Sequence, residues 1–175
     1  MNSTQPMVPR AWYRVYDQAV GHERAFRSDH HYELFLERFD HHLGPFVHRA
    51  AHALVPTGYH IIVRIRSIED LPPSASSNPS TAISRAFADF LSIYVRLYNR
   101  DVGRLGTLFI RPFRRELLFS REMVHATIRA IHRAPVAHGL AKQPEDWPHS
   151  SANHPMDRIM DMTQPSVIPR AIRSH

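Results

Sequence analysis

The chain has 175 residues, 43% of them hydrophobic, so we expect one domain with extensions at its ends. Lys and Arg (22) outnumber Asp and Glu (16) to give a formal charge of +6, and Lys142 is the only lysine. Because arginine binds phosphate through paired donors, this charge favours a nucleic-acid partner, although a basic protein without such a ligand has the same composition. The absence of cysteine excludes disulfides, thiolate catalysis and cysteine-based zinc sites.

The termini give no sign of a membrane segment. The first residues, MNSTQPMVPR, have no apolar core, and no run approaches the roughly 18 apolar residues of a membrane span. We therefore expect no membrane partner and a cytoplasmic protein. Residues 1–11 are predicted to be an N-terminal extension, and residues 153–175 an arm or a disordered tail.

The first half of the chain predicts a strand, a helix and two further strands. AWYRVYDQAV alternates its side chains as a strand rich in aromatic and β-branched residues does. SDHHYELFLERFDHHLG carries apolar residues at helical spacing after a capping Ser28. Strands around residues 47–55 and 59–66 follow, joined by a turn at Pro56-Thr57-Gly58.

The second half adds two helices and a strand. SIEDLPPSASSNPS predicts a mobile loop over residues 67–80, and TAISRAFADFLSIYVRLYNR predicts a long helix that begins near Ser80 or Thr81. RPFRRELLF predicts a strand. SREMVHATIRAIHRA predicts a helix that ends before Pro135, since the residue preceding a proline is disfavoured in the α region. In PEDWPHSS, Trp147 is predicted to anchor the last segment onto the domain.

The order of these elements predicts an α+β fold. It matches the ferredoxin-like split βαβ arrangement, an antiparallel sheet with helices on one face, plus an extra C-terminal helix. Side chains alternate along the third strand, so His60 and Arg64 share one face. The opposite face carries Ile61, Val63 and Ile65, which we expect to pack under the helices. His60 and Arg64 are then left on the outer face of the sheet.

His60 is a candidate metal ligand that lacks a partner. A divalent-metal site on the outer face would need a second ligand two residues away, and that position is Gly58. A single imidazole makes a poor site, because affinity comes from several ligands in fixed geometry. We interpret His60 as a weak remnant of a metal site at most, and a surface or hydrogen-bonded histidine is the simpler interpretation.

Four segments run in order across residues 12–152: YRVYDQAVGHERAFRSD, ALVPTGYHIIVRI, FADFLSIYVRLYNRDVGRLGTLFIRPFRREL and IRAIHRAPVAHGLAKQPEDWPHSS. They resemble the single-tyrosine HUH transposases, specifically the insertion-sequence-200-like and REP-associated branch. The fold of that family agrees with the topology predicted above. The resemblance implies a transposase-like domain over residues 12–152 whose family activity is DNA transposition.

The same resemblance implies that the catalytic positions have changed. Family members carry two histidines in this hairpin that hold a Mg or Mn ion, and here they fall on Gly58 and His60. The nucleophilic tyrosine falls on Ala130, and an asparagine suited to a third metal contact falls on Ala134. Because this cleavage needs an oxygen nucleophile and a metal, the resemblance implies a degenerate member with no catalytic residue and no expected cofactor.

The segment RDVGRLGTLFIRPFRRE is the predicted nucleic-acid interface. It mixes arginines, which suit phosphate contacts, with phenylalanines, which suit base stacking. The predicted contacts are Arg64, Arg100, Arg104, Phe109, Arg111, Phe113, Arg114 and Arg115. The other interpretation is that both phenylalanines are core and the arginines are solvated. The resemblance gives this stretch a nucleic-acid role, so we favour binding of single-stranded or hairpin DNA.

Two alternatives stay open. One is an active transposase that cleaves and joins strands through rerouted residues, for which Tyr59, Tyr94 and Tyr98 are weak nucleophile candidates. The other is a domesticated interaction domain without DNA binding. A third open point is a homodimer, formed through a sheet edge or through the long helix.

Overall fold

The computed structural model of the protein describes residues 5–153, which form one antiparallel sheet and three α-helices. The strands are β1 (Trp12–Gln18), β2 (Val47–Val55), β3 (Gly58–Ile65) and β4 (Arg114–Leu118), and the helices are α1 (Asp29–Leu43), α2 (Pro79–Val102) and α3 (Arg121–Ala137). The strand order β2-β3-β1-β4 confirms the predicted ferredoxin-like α+β fold with an extra C-terminal helix. Across residues 5–153, no helix is long and apolar enough to cross a membrane.

Helices α1 and α2 cover one face of the sheet and enclose the main core. The ring of Phe35 lies at its centre, 5.0 Å from the rings of Tyr59 and Phe90 and 4.9 Å from Tyr94. The β3 residues expected under the helices, Ile61, Val63 and Ile65, are all buried in this core. The predicted inward face of β3 is therefore confirmed.

Helix α3 packs on the opposite face and builds a smaller second core. The buried members of this core are Trp12, Ala51, Ala53, Ile62, Leu118, Val124, Ile128 and Ile131. His60 and Arg64 do lie on this face, on either side of the buried Ile62. The outer face of the sheet is thus covered by α3 in its middle rather than open along its whole length.

The prediction that α3 ends before Pro135 is wrong, because the helix continues to Ala137. Pro135 stands in the last turn, where the chain still closes hydrogen bonds from His138 N–H to the Ala134 carbonyl (3.0 Å) and from Leu140 N–H to the Pro135 carbonyl (2.9 Å). The proline ring is buried. Tertiary packing here overrides the local preference for ending the helix.

Helix α2 begins slightly earlier than the sequence indicated. Its first residue is Pro79, and the side chain of Asn78 accepts a hydrogen bond from Thr81 N–H at 3.2 Å. Asparagine is a favoured N-cap and proline a favoured first residue, so this start follows ordinary capping chemistry.

Three segments outside the main elements are tied to the domain. Residues 67–78 of the predicted 67–80 loop form short turns and bury Leu71 and Ala75, while the mobility of the loop stays a prediction. Within the predicted N-terminal extension, Met7 is fully buried. Trp147 donates its Nε1–H to the Leu54 carbonyl at 2.7 Å, which confirms the predicted anchor. The predicted tail lies outside the described residues from position 154 onward.

Candidate nucleic-acid interface

Four side chains from three adjacent strands meet on the α3 face of the sheet. The strand register places Tyr16 of β1 opposite His60 of β3 on one side and opposite Arg114 of β4 on the other. Arg14 precedes Tyr16 by two residues and so points to the same face. We call Arg14, Tyr16, His60 and Arg114 the outer-face cluster.

The ring of Tyr16 forms the centre of the outer-face cluster. The guanidinium carbon Cζ lies 4.4 Å from the ring centroid for Arg14 and 4.8 Å for Arg114. The ring of His60 is stacked 6.0 Å away with an interplanar angle of 24°. Cation–π contacts of this kind are worth about 0.5–1 kcal/mol at exposed sites and more when desolvated. The aromatic ring therefore holds two cations in one small area.

The two arginines are only partly neutralised by their neighbours. Arg14 approaches Glu116 at 3.7 Å, and Arg114 approaches Asp17 at 3.5 Å. Within residues 5–153, the Nε atoms of both arginines are buried and have no hydrogen-bond partner. Since buried polar groups are normally hydrogen-bonded, both guanidinium groups keep unused donor capacity.

His60 is held in a form that does not suit a metal. Its Nδ1 lies 3.1 Å from Arg14 Nη2, and because a guanidinium can only donate, Nδ1 must accept. Burial, followed by the charges of Arg14, His138 and Arg114, lowers the pKa of His60 to about 4. A neutral His60 then carries its hydrogen on Nε2, so neither ring nitrogen offers a lone pair to a metal ion.

Position 58 is glycine for a steric reason. A Cβ atom built on Gly58 would lie 2.3 Å from the backbone oxygen of Asp17 and 3.2 Å from Cα of Gln18. The backbone of β1 passes too close to β3 at this point for any side chain to fit without movement. For residues 5–153, no group of three or more His, Asp or Glu side chains is placed to hold a metal ion. The arrangement therefore does not fit the divalent metal that the resemblance implies.

The end of α3 borders the outer-face cluster. Ala130 is exposed and Ala134 is half-buried on this helix. His138, one turn after Ala134, donates its Nδ1–H to the Ala134 carbonyl at 2.8 Å. Its charge helps to lower the pKa of His60. Methyl groups thus occupy the two positions to which the resemblance assigns the nucleophile and a metal contact.

The arginine-rich segment does not form one continuous surface. Arg114 and Arg115 are neighbours on β4 and therefore point to opposite faces of the sheet. Arg115 donates from Nε to the Gln5 carbonyl at 2.6 Å, and burial lowers its pKa. Arg114, in contrast, joins the outer-face cluster.

The other predicted arginines differ in how far they are already engaged. Arg104 bridges Glu23 and the Thr107 carbonyl, and only 14% of its side chain is exposed, so it serves the fold. Arg64 lies 5.9 Å from the Trp12 ring at the far end of β3. Arg100 and Arg111 are exposed.

The predicted stacking role of the two phenylalanines disagrees with their burial. Phe109 and Phe113 are only 3% and 6% exposed, and both belong to the main core. Phe113 stacks on Phe87 at 5.1 Å, and Phe109 packs against Tyr59 at 5.3 Å. These rings cannot meet a base without leaving the core, so the structure bears out the core interpretation instead.

Burial also rules out most of the tyrosines as candidate nucleophiles. All six tyrosines of the chain fall within residues 5–153, and five of them are buried, including Tyr59, Tyr94 and Tyr98. Tyr94 and Tyr98 donate their hydroxyls to the carbonyls of Ala25 and Arg24. Sequence reasoning missed Tyr16, which is the half-buried exception, and did not assign Arg14 or His138 to a site.

Comparison with known proteins gives a likeness in structure and none in sequence. No protein family and no curated protein matches the sequence. Among solved structures, the chain is similar to a REP-associated tyrosine transposase bound to a REP hairpin, with a TM-score of 0.66, 14% identity and coverage of 90% of each chain. The chain shares the fold of that transposase. At 14% identity, the likeness carries no further than the fold.

Proposed function

We propose that this protein is a transposase-like DNA-binding protein that binds single-stranded or hairpin DNA and has lost strand cleavage. The observation that carries the proposal is the fold shared, over 90% of both chains, with a transposase bound to a DNA hairpin. The formal charge of +6 supports a phosphate-rich partner, because every basic residue among the Lys and Arg residues except Lys142 is an arginine. DNA is therefore the proposed partner, and no cofactor is required.

The loss of cleavage is supported by the positions that the resemblance assigns to chemistry. Gly58 has no room for a side chain, and Ala130 and Ala134 supply neither a nucleophile nor a metal contact. His60 already accepts a hydrogen bond from Arg14. Strand cleavage of the HUH type needs both a nucleophile and a metal, and these residues supply neither.

One observation favours a second candidate function, an active transposase with a rerouted nucleophile. Tyr16 is the tyrosine that is not buried, and it lies beside two arginines and His60. Attack by its hydroxyl on a phosphodiester would form a phosphotyrosine bond and release a 3′-hydroxyl. This candidate predicts a covalent protein–DNA adduct that the variant Tyr16→Phe cannot form.

One titration tests both candidates. Purified full-length protein is titrated with a fluorescent DNA hairpin, a single strand and a duplex of equal length, with and without manganese, and each mixture is then run on a denaturing gel. We expect binding of hairpin or single strand that weakens with salt by a slope of about −0.7 to −0.9 per phosphate contact. No covalent band is expected. Absence of binding, or a slope near zero, would overturn the proposal, and a band that Tyr16→Phe removes would establish the active enzyme.

The predicted homodimer remains part of the proposal, through the long helix α2 or through one edge of the sheet. Residues 149–151 cover the edge strand β2, with Leu54 N–H bonded to the His149 carbonyl and Ser151 N–H bonded to the His52 carbonyl, both at 2.9 Å. Strand β4 is the other edge. A second copy adding to the sheet would therefore pair with β4.

A further inference from the structure

The outer-face cluster has the composition of an anion site. Its two guanidinium groups are held against one ring, and their Nε atoms lack a hydrogen-bond partner among residues 5–153. The nearby carboxylates of Glu116 and Asp17 each touch a single terminal nitrogen, at 3.7 and 3.5 Å. A ring that contacts two positive charges is a favourable place for an anion that approaches both of them.

The cluster is also held in position before any ligand arrives. Arg14 contacts both Tyr16 and His60, and Arg114 contacts Tyr16 and Asp17. A guanidinium fixed by neighbours loses less side-chain freedom when it binds, which lowers the free-energy cost of binding. Arginine donors match the oxygens of a phosphate in bidentate geometry.

The same contacts disfavour a cation. The lone pair of His60 Nδ1 is occupied by Arg14, and the positive charges of Arg14 and Arg114 both act on His60. A divalent metal would be repelled by these charges, whereas a phosphate would be attracted. The positive charge of the outer-face cluster therefore favours a phosphate over a divalent metal ion.

We propose that the outer-face cluster is a metal-independent phosphate site in which Arg14 and Arg114 bind one phosphate group above the ring of Tyr16. The inference rests on the proposed DNA binding and names its central contact. The phosphate belongs to a DNA strand or, with the same chemistry, to a free nucleotide.

Binding of the fluorescent hairpin by charge-loss variants is the main test. Arg14→Gln and Arg114→Gln are each expected to weaken binding by about 10-fold or more and to reduce the salt slope by about one. The matched control is Arg85→Gln on α2, whose side chain is 82% exposed, and it is expected to change binding by less than about 2-fold. Added EDTA should leave the affinity of the wild type unchanged.

Two further variants separate binding from folding. Arg14→Lys keeps the charge but loses the planar fork, so its affinity should lie between those of the wild type and Arg14→Gln. Circular dichroism and thermal melting check that each variant is folded. If Arg14→Gln fails to fold, Arg114→Gln carries the test, since 37% of the Arg114 side chain is exposed.

A second measurement distinguishes the two sources of phosphate. The imidazole NMR signals of His60 are followed while inorganic phosphate or thymidine monophosphate is added to wild type and to Arg114→Gln. Shifts in the wild type that are lost in the variant support the site, even if the hairpin does not bind; in that case DNA binding fails and the ligand is a free phosphate monoester.

The remaining outcomes overturn the inference. If the hairpin binds but Arg14→Gln and Arg114→Gln behave like Arg85→Gln, the phosphate site is wrong while the proposed DNA binding stands. If neither the hairpin nor the small phosphates bind, both the site and the proposed function are wrong.

Discussion

The two faces of the sheet differ in what their side chains are used for. On the face covered by α1 and α2, aromatic rings fill the core and the hydroxyls of Tyr94 and Tyr98 are bonded to backbone carbonyls. On the face covered by α3, a small core ends beside Arg14 and Arg114, whose Nε atoms are unpaired among residues 5–153. The first face is specified by packing. The second face carries arginine Nε groups without hydrogen-bond partners among residues 5–153, so we expect a ligand to bind on that face.

Truncating the centre of the main core should have the largest effect. Phe35→Ala is expected to lower the free energy of unfolding by about 3–5 kcal/mol, because it leaves a cavity among Tyr59, Phe90 and Tyr94. Met123→Ala, which trims the edge of the second core, should cost only about 1 kcal/mol. Urea unfolding measures both, and equal losses would contradict the contrast between the faces.

Adding a side chain at Gly58 should have the next largest effect. Gly58→Ala and Gly58→His are each expected to lower the free energy of unfolding by about 1–3 kcal/mol, since Cβ would press on the Asp17 backbone. The neighbouring turn variant Thr57→Asn is the control and should stay within about 0.5 kcal/mol of the wild type. Unfolding is measured with and without manganese. A manganese-dependent gain in Gly58→His would show that the steric argument is wrong.

Hydrophobic periodicity was sufficient to predict the fold, because each helix and strand repeats its apolar residues at its own spacing. It could not supply strand register, and register is what brings Tyr16, His60 and Arg114 together. The arginine-rich segment predicts one surface, whereas strand alternation places Arg114 and Arg115 on opposite faces of the sheet. The predicted role of Phe113 failed for a related reason: a ring next to arginines in sequence looks available, although its burial depends on distant residues.

The smallest expected effect is on the pH dependence of the free energy of unfolding, to which Asp17 and His60 contribute with opposite signs. Burial raises the pKa of Asp17 to about 6, against the hydrogen bond from Gln18 and the charge of Arg114. In the window from about pH 4 to 6, native Asp17 then binds more protons than in the unfolded chain, so its contribution to stability falls as pH rises. The pKa of His60 is lowered to about 4, so between about pH 4 and 6.5 its contribution rises with pH.

Single substitutions separate the opposing contributions of Asp17 and His60 to the pH dependence of stability. In Asp17→Asn, the opposing contribution of Asp17 is removed, so the free energy of unfolding should rise between about pH 4.5 and 6.5. In His60→Gln, the slope should be shallower or reversed, with a residual rise from His42 and His48, whose pKa values are also lowered by burial. The wild type should lie between the two variants, and urea unfolding at several pH values measures the slopes. Identical slopes in all three proteins would mean that neither group titrates in the native state as its burial and neighbouring charges require.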